Sequence, residues 1–215
     1  MEIAANIPGF NIGLWRITES AADLLSALGD SLDSDEISAC SKISNLRRRQ
    51  EFLATRLLIA KMLGHYPGIH YDEAGKPSLP SGYPAISISH AVGMAAVMLG
   101  HGPARFGIDI ERITPRVLRI QHKFLSESDI SSLPNDDDSR LKALYIHWCA
   151  KEAMYKAVNI RDWDYQNSYA LDNYVFDGAD GVASGRLCGG GVRVDFSIRH
   201  FQIDDYIICV ASEKK

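Results

Sequence analysis

The sequence predicts an α+β fold built as two similar halves, each an antiparallel sheet packed with a long helix, with a ligand cleft between them. Three observations carry this reading. Ser87-Ile88-Ser89-His90 is followed by the apolar run Ala95 to Leu99, and Ser197-Ile198-Arg199-His200 by Tyr206 to Val210; each reads as strand, turn and strand. A helical stretch precedes each hairpin, Leu46 to Leu63 stopped by Gly64, and Leu141 to Val158, where Asn159 can take the same left-handed position. Finally, FLATRLLIAK at 52–61 aligns without gaps to HWCAKEAMYK at 147–156, setting Arg56 on Lys151 and Lys61 on Lys156. Such a repeat implies halves of 1–104 and 105–215, and ligands often bind in a cleft of this kind.

The remaining elements are read in order. Asn11 to Ile17 is a strand candidate, and Glu19 to Leu28 reads as a helix ended by Gly29. Asp72 to Pro77 is a turn by composition, Asn135 to Asp138 a polar acidic linker. The glycines 189–191 suit a hairpin turn and not a phosphate loop, because no helix and no Lys-Ser/Thr pair follows. Thr114-Pro115 looks like an N-cap with proline at the first helical position, opening a helix to Leu125.

Bulk properties narrow the function classes. A chain of 215 residues with 46% hydrophobic content can bury a core. Its net charge of −4 argues against nonspecific binding to nucleic acid or an anionic membrane. MEIAANIPGF lacks the basic-then-apolar pattern of a leader, and no run reaches the length of a membrane span. The four cysteines form no CxxC pair, so a reduced, cytoplasmic protein is expected, with neither a disulfide framework nor a zinc site.

The residues that can do chemistry fall into three groups. Phe106, Ile108 and Ile110 alternate with Asp109 and Glu111, which places both carboxylates on one face of a strand. Adjacent carboxylates repel unless solvated or bridged by a cation. Hard oxygens on a rigid strand suit Mg²⁺, which takes one or two carboxylates plus phosphate oxygens; two solvated charges at a strand end are the alternative. Trp148, Glu152 and Lys156 recur at i, i+4, i+8 and share a helical face. Glu152 could complete the metal site, and Lys151 and Lys156 could hold phosphate oxygens, although the spacing taken alone favours an exposed Glu152–Lys156 surface pair. Ser89-His90 at a strand end can bind phosphate, with Arg56 and Lys76 as further cationic donors, or can be structural.

The order of these segments is more specific than any one of them. FLATR at 52–56, GKP at 75–77, SISH at 87–90, FGIDIE at 106–111 and WCAKEAMYK at 148–156 lie in one chain. This resembles the 4′-phosphopantetheinyl transferases of the Sfp type, whose signature is a GxD segment with a nearby acid followed by W/F-x-x-K-E-A/S-x-x-K. The matching positions span residues 50–160. The resemblance implies a pseudo-dimer of two α+β halves, coenzyme A between them, and transfer of its phosphopantetheine arm to a serine of an apo-carrier protein with release of 3′,5′-ADP. It further implies that Asp109, Glu111 and Glu152 bind Mg²⁺ with the pyrophosphate. Lys151 and Lys156 would contact phosphates, with Lys156 near the scissile one and Glu152 accepting the serine proton. Arg56, Lys76, Ser89 and His90 would bind the nucleotide end with its 3′-phosphate. Cys149 is read as a packing residue, and His147 has no assigned role.

Arg116, Arg119 and Lys123 recur at i, i+3, i+7 after the acidic strand. Such a stripe suits an acidic partner, here the carrier protein, or is a solvated helix face. Ala91 stands where the family often has a hydroxyl residue, and Ala157-Val158-Asn159 where it often has a glycine turn, which bears on the pantetheine side of the cleft. The rival readings are a noncatalytic protein that binds coenzyme A or a carrier, and another Mg²⁺-dependent phosphate enzyme. One chain carrying both halves leads to the expectation of a monomer.

Overall fold

The computed structural model describes residues 2–160 and 164–214, the side chains of residues 2–6 excepted. The chain divides into two compact units, Met1–Gly102 and Pro103–Lys215. Both are mixed helix-and-strand units with antiparallel sheets. No described helix is long and apolar enough to cross a membrane.

In the first unit, β1 (Glu2–Ile7) and β2 (Phe10–Arg16) form a hairpin. Three helices follow: α1 (Ala21–Leu28), α2 (Ser34–Lys42) and α3 (Leu46–Leu63). Two-residue strands β3 (His70–Tyr71) and β4 (Pro77–Ser78) flank the Asp72–Lys76 turn, and β5 (Ala85–Ala91) and β6 (Met94–Gly100) close the unit. The main sheet is antiparallel in the order β1-β2-β6-β5. Helix α3 ends as expected at Gly64, in the left-handed region at φ 83°. Ser20 caps α1 in a reciprocal pair with Asp23, which satisfies two end donors at once. Leu53, Leu57 and Leu58 of α3 pack with Leu24 and Leu28 of α1 and with Val97 and Leu99 of β6.

The second unit follows a similar order. It begins with β7 (Phe106–Arg112), passes through short helices α4 (Val117–Ile120) and α5 (Glu127–Ser131), and reaches the long α6 (Asp137–Val158). Then come α7 (Tyr165–Ser168), β8 (Tyr169–Asp172), β9 (Gly181–Gly189), β10 (Val192–Ile203) and β11 (Tyr206–Glu213). The antiparallel sheet runs β7-β11-β10-β9-β8. Both hairpins expected from the repeat are present, β5–β6 and β10–β11.

Two local expectations are corrected. The acidic linker is the start of α6: Asp136 accepts from the Ser139 amide, and Asp137 and Asp138 complement the positive helix end. The helix from Thr114 to Leu125 is broken. After α4 the chain tightens into a 3₁₀ turn at Gln121–Lys123, and Gln166 takes the carbonyls of His122 and Leu125. Thr114 caps nothing; its hydroxyl bonds the Tyr145 phenol at 2.9 Å. Asn159 does take the left-handed C-cap position, at φ 55°.

Helix α6 is buried from Ala143 to Ala157 except at Trp148, Glu152, Tyr155 and Lys156. Over this stretch the i, i+4, i+8 row read from the sequence forms the accessible strip, together with Tyr155. Gly107 sets how closely β7 approaches it. A Cβ there would stand 2.1 Å from the Ala153 carbonyl oxygen, so only glycine fits.

Candidate active site

Strand β7 and helix α6 bring the acidic residues together. Gly107, Asp109 and Glu111 lie on one face of β7 by strand alternation, and Gly107 marks that face as the one against α6. Asp109 is 5% exposed, and the Lys156 ammonium meets its Oδ1 at 2.8 Å. Trp148 Nε1 donates to Glu111 Oε1 at 3.2 Å, tying helix to strand. The Trp148 ring stands edge-on to Phe124, with centroids 4.9 Å apart.

The acids bear on one another's charge. The Glu111 carboxyl is pushed up to about 7, first by burial, then by the charge of Asp109, with Glu152 adding to it. Burial also raises Glu152, again followed by Asp109. Lys156 pulls both back down. Two carboxyls raised by burial and by the charge of Asp109, with Lys156 bearing on both, form a region that a further cation would stabilise.

The structure tests the expectation of a metal centre. Among the described residues no three acidic, histidine or cysteine side chains converge as a ready-made metal cage. The donor chemistry still fits Mg²⁺. That ion needs only one or two protein carboxylates, the rest of its shell being phosphate oxygens and water.

Two expected phosphate contacts are corrected. Lys151 is 0% exposed. Its ammonium is enclosed by the Phe124 carbonyl at 2.6 Å, Asp129 Oδ2 at 3.1 Å and the Gln166 carbonyl at 3.2 Å, leaving no surface for a ligand. Arg56 is likewise buried, bonded to Glu36 Oε1 at 2.8 Å and stacked over Phe52. The pairing of Arg56 with Lys151 in the sequence repeat therefore has a structural meaning. In each unit a buried cation of the long helix neutralises an acid, Glu36 or Asp129, near the start of the short helix before it.

The remaining residues are placed as follows. His90 is half-exposed at the end of β5, its Nδ1 3.3 Å from Glu51 Oε2. Ser89 is buried beside it. Lys76 lies in the β3–β4 turn, where its amide donates to Asp72 Oδ1. Arg116, Arg119 and Lys123 are all exposed, but on α4 and the 3₁₀ turn and not along one continuous helix. Cys149 is a packing residue, fully buried with its thiol on the Ile207 carbonyl. His147 is also enclosed, edge-on to Tyr174, and burial holds it down to about 4, in the neutral form.

Tyr165 is part of this site and was not foreseen. Its hydroxyl is buried, burial and then the Glu152 charge push its phenol far up, and its ring packs between Trp148 and Tyr169 at centroid distances of 6.1 and 5.2 Å. It follows directly after Asp164, which caps α7, and no periodicity links it to α6.

Comparison with known proteins agrees with this geometry. Residues 105–211 match the model of the 4′-phosphopantetheinyl transferase superfamily, a span that holds the whole acidic site. The match lies within the second unit of the chain. The chain is 26% identical over 163 residues to the 4′-phosphopantetheinyl transferase HetI of Nostoc sp., covering 68% of each protein. It is 31% identical over 113 residues to the 4′-phosphopantetheinyl transferase AcpT of Salmonella typhi, covering 51% of this chain and 58% of AcpT.

Proposed function

We propose that the protein is a phosphopantetheinyl transferase of the Sfp type, which moves the 4′-phosphopantetheine arm of coenzyme A to a serine of an apo-carrier protein. The observation that carries this reading is the Lys156–Asp109 ion pair flanked by Glu111 and Glu152, a mixed-charge site on the accessible strip of α6. The similar element order of the two units supports the reading of two related halves.

The chemistry follows from charge. The serine Oγ forms a bond to the β-phosphorus of coenzyme A, the pyrophosphate bridge breaks, and 3′,5′-ADP leaves. Phosphoryl transfer depends on alignment and charge neutralisation more than on covalent help. Lys156, 26% exposed, can turn from Asp109 to a phosphate oxygen without unfolding its surroundings. Glu152, with its raised proton affinity, accepts the serine proton directly or through a water. Asp109, Glu111 and Glu152 would hold Mg²⁺, which when bound neutralises pyrophosphate charge. In the first unit, Lys76, Ser89 and His90 are assigned to the nucleotide end. Arg116, Arg119 and Lys123 are assigned to an acidic carrier.

The test is incubation of the protein with coenzyme A, Mg²⁺ and a panel of apo-carriers, followed by mass measurement. One added phosphopantetheine arm per carrier is the expected result. Coenzyme A binding without transfer to any carrier would favour a binding protein, and release of inorganic phosphate would favour a hydrolase; either overturns the reading.

A further inference from the structure

We propose that Glu51 is a positioning residue for His90, its buried carboxylate holding the imidazole so that the outer ring nitrogen meets the 3′-phosphate of coenzyme A. This rests on the assignment of His90 to the nucleotide end and adds to it a residue of α3 that has no assigned role.

The placement follows from the strand. Ile86 and Ile88 of β5 belong to the core that holds Leu53, Leu57 and Leu58 of α3. His90 stands on the same face of β5 by alternation. Across the ladder it pairs with Ala95 of β6, a small and fully buried neighbour. The apolar row against α3 thus ends in a polar pair, with His90 Nδ1 3.3 Å from Glu51 Oε2. The two side chains differ in access: His90 is 52% exposed and Glu51 only 8%.

A buried carboxylate costs stability unless a cation pairs with it. Among its described residues the first unit buries two acids, Glu36 and Glu51, and partners them differently. Glu36 takes the buried Arg56 and the Tyr66 hydroxyl, a closed contact built on a permanent charge. Glu51 has no lysine or arginine in ion-pair range among the described residues; its partner is the half-exposed His90. A ring nitrogen facing a carboxylate oxygen at this range carries the proton, which sets the tautomer. Nε2 is then left on the half of the ring open to solvent. An anion bound there puts the ring between two negative groups, and the imidazolium, with one N–H for each, serves both. A phosphate monoester fits this arrangement, since its oxygens are strong acceptors.

The experiment measures binding of coenzyme A and of 3′-dephospho-coenzyme A by titration calorimetry. It compares wild type, Glu51→Gln, His90→Ala and the double variant, with circular dichroism as the check on folding. Glutamine keeps the size of the side chain and withdraws the charge. Glu51→Met is a second variant; removing the acid leaves a half-exposed histidine and no buried charge, so the fold should hold. Carboxylates that orient an imidazole contribute about ten-fold or more to what it binds. Glu51→Gln should therefore bind coenzyme A about ten-fold more weakly, and 3′-dephospho-coenzyme A as wild type does. In the His90→Ala background the Glu51 change should have no further effect. Wild-type coenzyme A affinity in a folded Glu51→Gln or Glu51→Met protein would overturn the proposal, as would equal losses for the two ligands or an undiminished loss without His90. A wild type that prefers coenzyme A to its 3′-dephospho form but modifies no carrier removes the transferase reading alone, and the variants still decide on Glu51. A wild type that modifies carriers yet binds both ligands equally overturns the Glu51 proposal alone. A wild type that binds neither ligand overturns both.

Discussion

Lys151 and Lys156 lie five residues apart on one helix, yet their surroundings differ completely. Lys156 reaches the acids of β7 and keeps access to solvent. Lys151 is sealed among two carbonyls and Asp129, which holds that carboxyl below its usual range even though burial pushes the other way. Helical periodicity explains why Lys156 was legible in the sequence: residues 148, 152 and 156 share a face, and strand alternation brings Asp109 and Glu111 to meet it. Lys151 was misread because its partners come from segments 124–129 and 166, which no local pattern connects to α6. The consequence can be measured. Lys151→Met leaves Asp129 buried without its cation and should cost about 3–5 kcal/mol in urea unfolding. Wild-type stability with weakened coenzyme A binding would return Lys151 to a phosphate role.

At the scale of elements, the long helices and hairpins were readable because their signals are local. Gly64 and Asn159 end α3 and α6 in the left-handed region, and alternation defines β7. The segment between β7 and α6 was not readable, since its break after α4 depends on Gln166, over forty residues downstream of Gln121. That break changes the basic stripe. Arg116, Arg119 and Lys123 stay exposed but occupy a short helix and a tight turn, a knuckle and not a rod. The same Gln166 joins this knuckle to the segment carrying Tyr165. Reversing Arg116 and Arg119 to Glu should raise KM for the carrier several-fold and leave coenzyme A affinity unchanged, because like charge repels an acidic partner at the encounter. Unchanged carrier kinetics, measured at low salt, would separate this surface from docking.

For the whole molecule, the two units share several elements in the same order. Each unit has a strand, short helices, a long helix and a terminal hairpin, and each long helix buries one cation against an acid of a preceding helix. Only the second unit sets carboxylates on the strand facing that helix: β7 carries Asp109 and Glu111, whereas β2 reads Phe-Asn-Ile-Gly-Leu-Trp-Arg. The repeat was visible in sequence because packing constrains both copies, and the difference was visible because charged residues on a buried strand face need a reason. The acids and Lys156 are therefore where the function should fail first. Asp109→Ala, assayed by mass change of an apo-carrier with coenzyme A and Mg²⁺ and checked for a native circular dichroism spectrum, should be folded and abolish transfer. A folded Asp109→Ala protein that modifies the carrier at the wild-type rate would contradict a site built on β7 and α6.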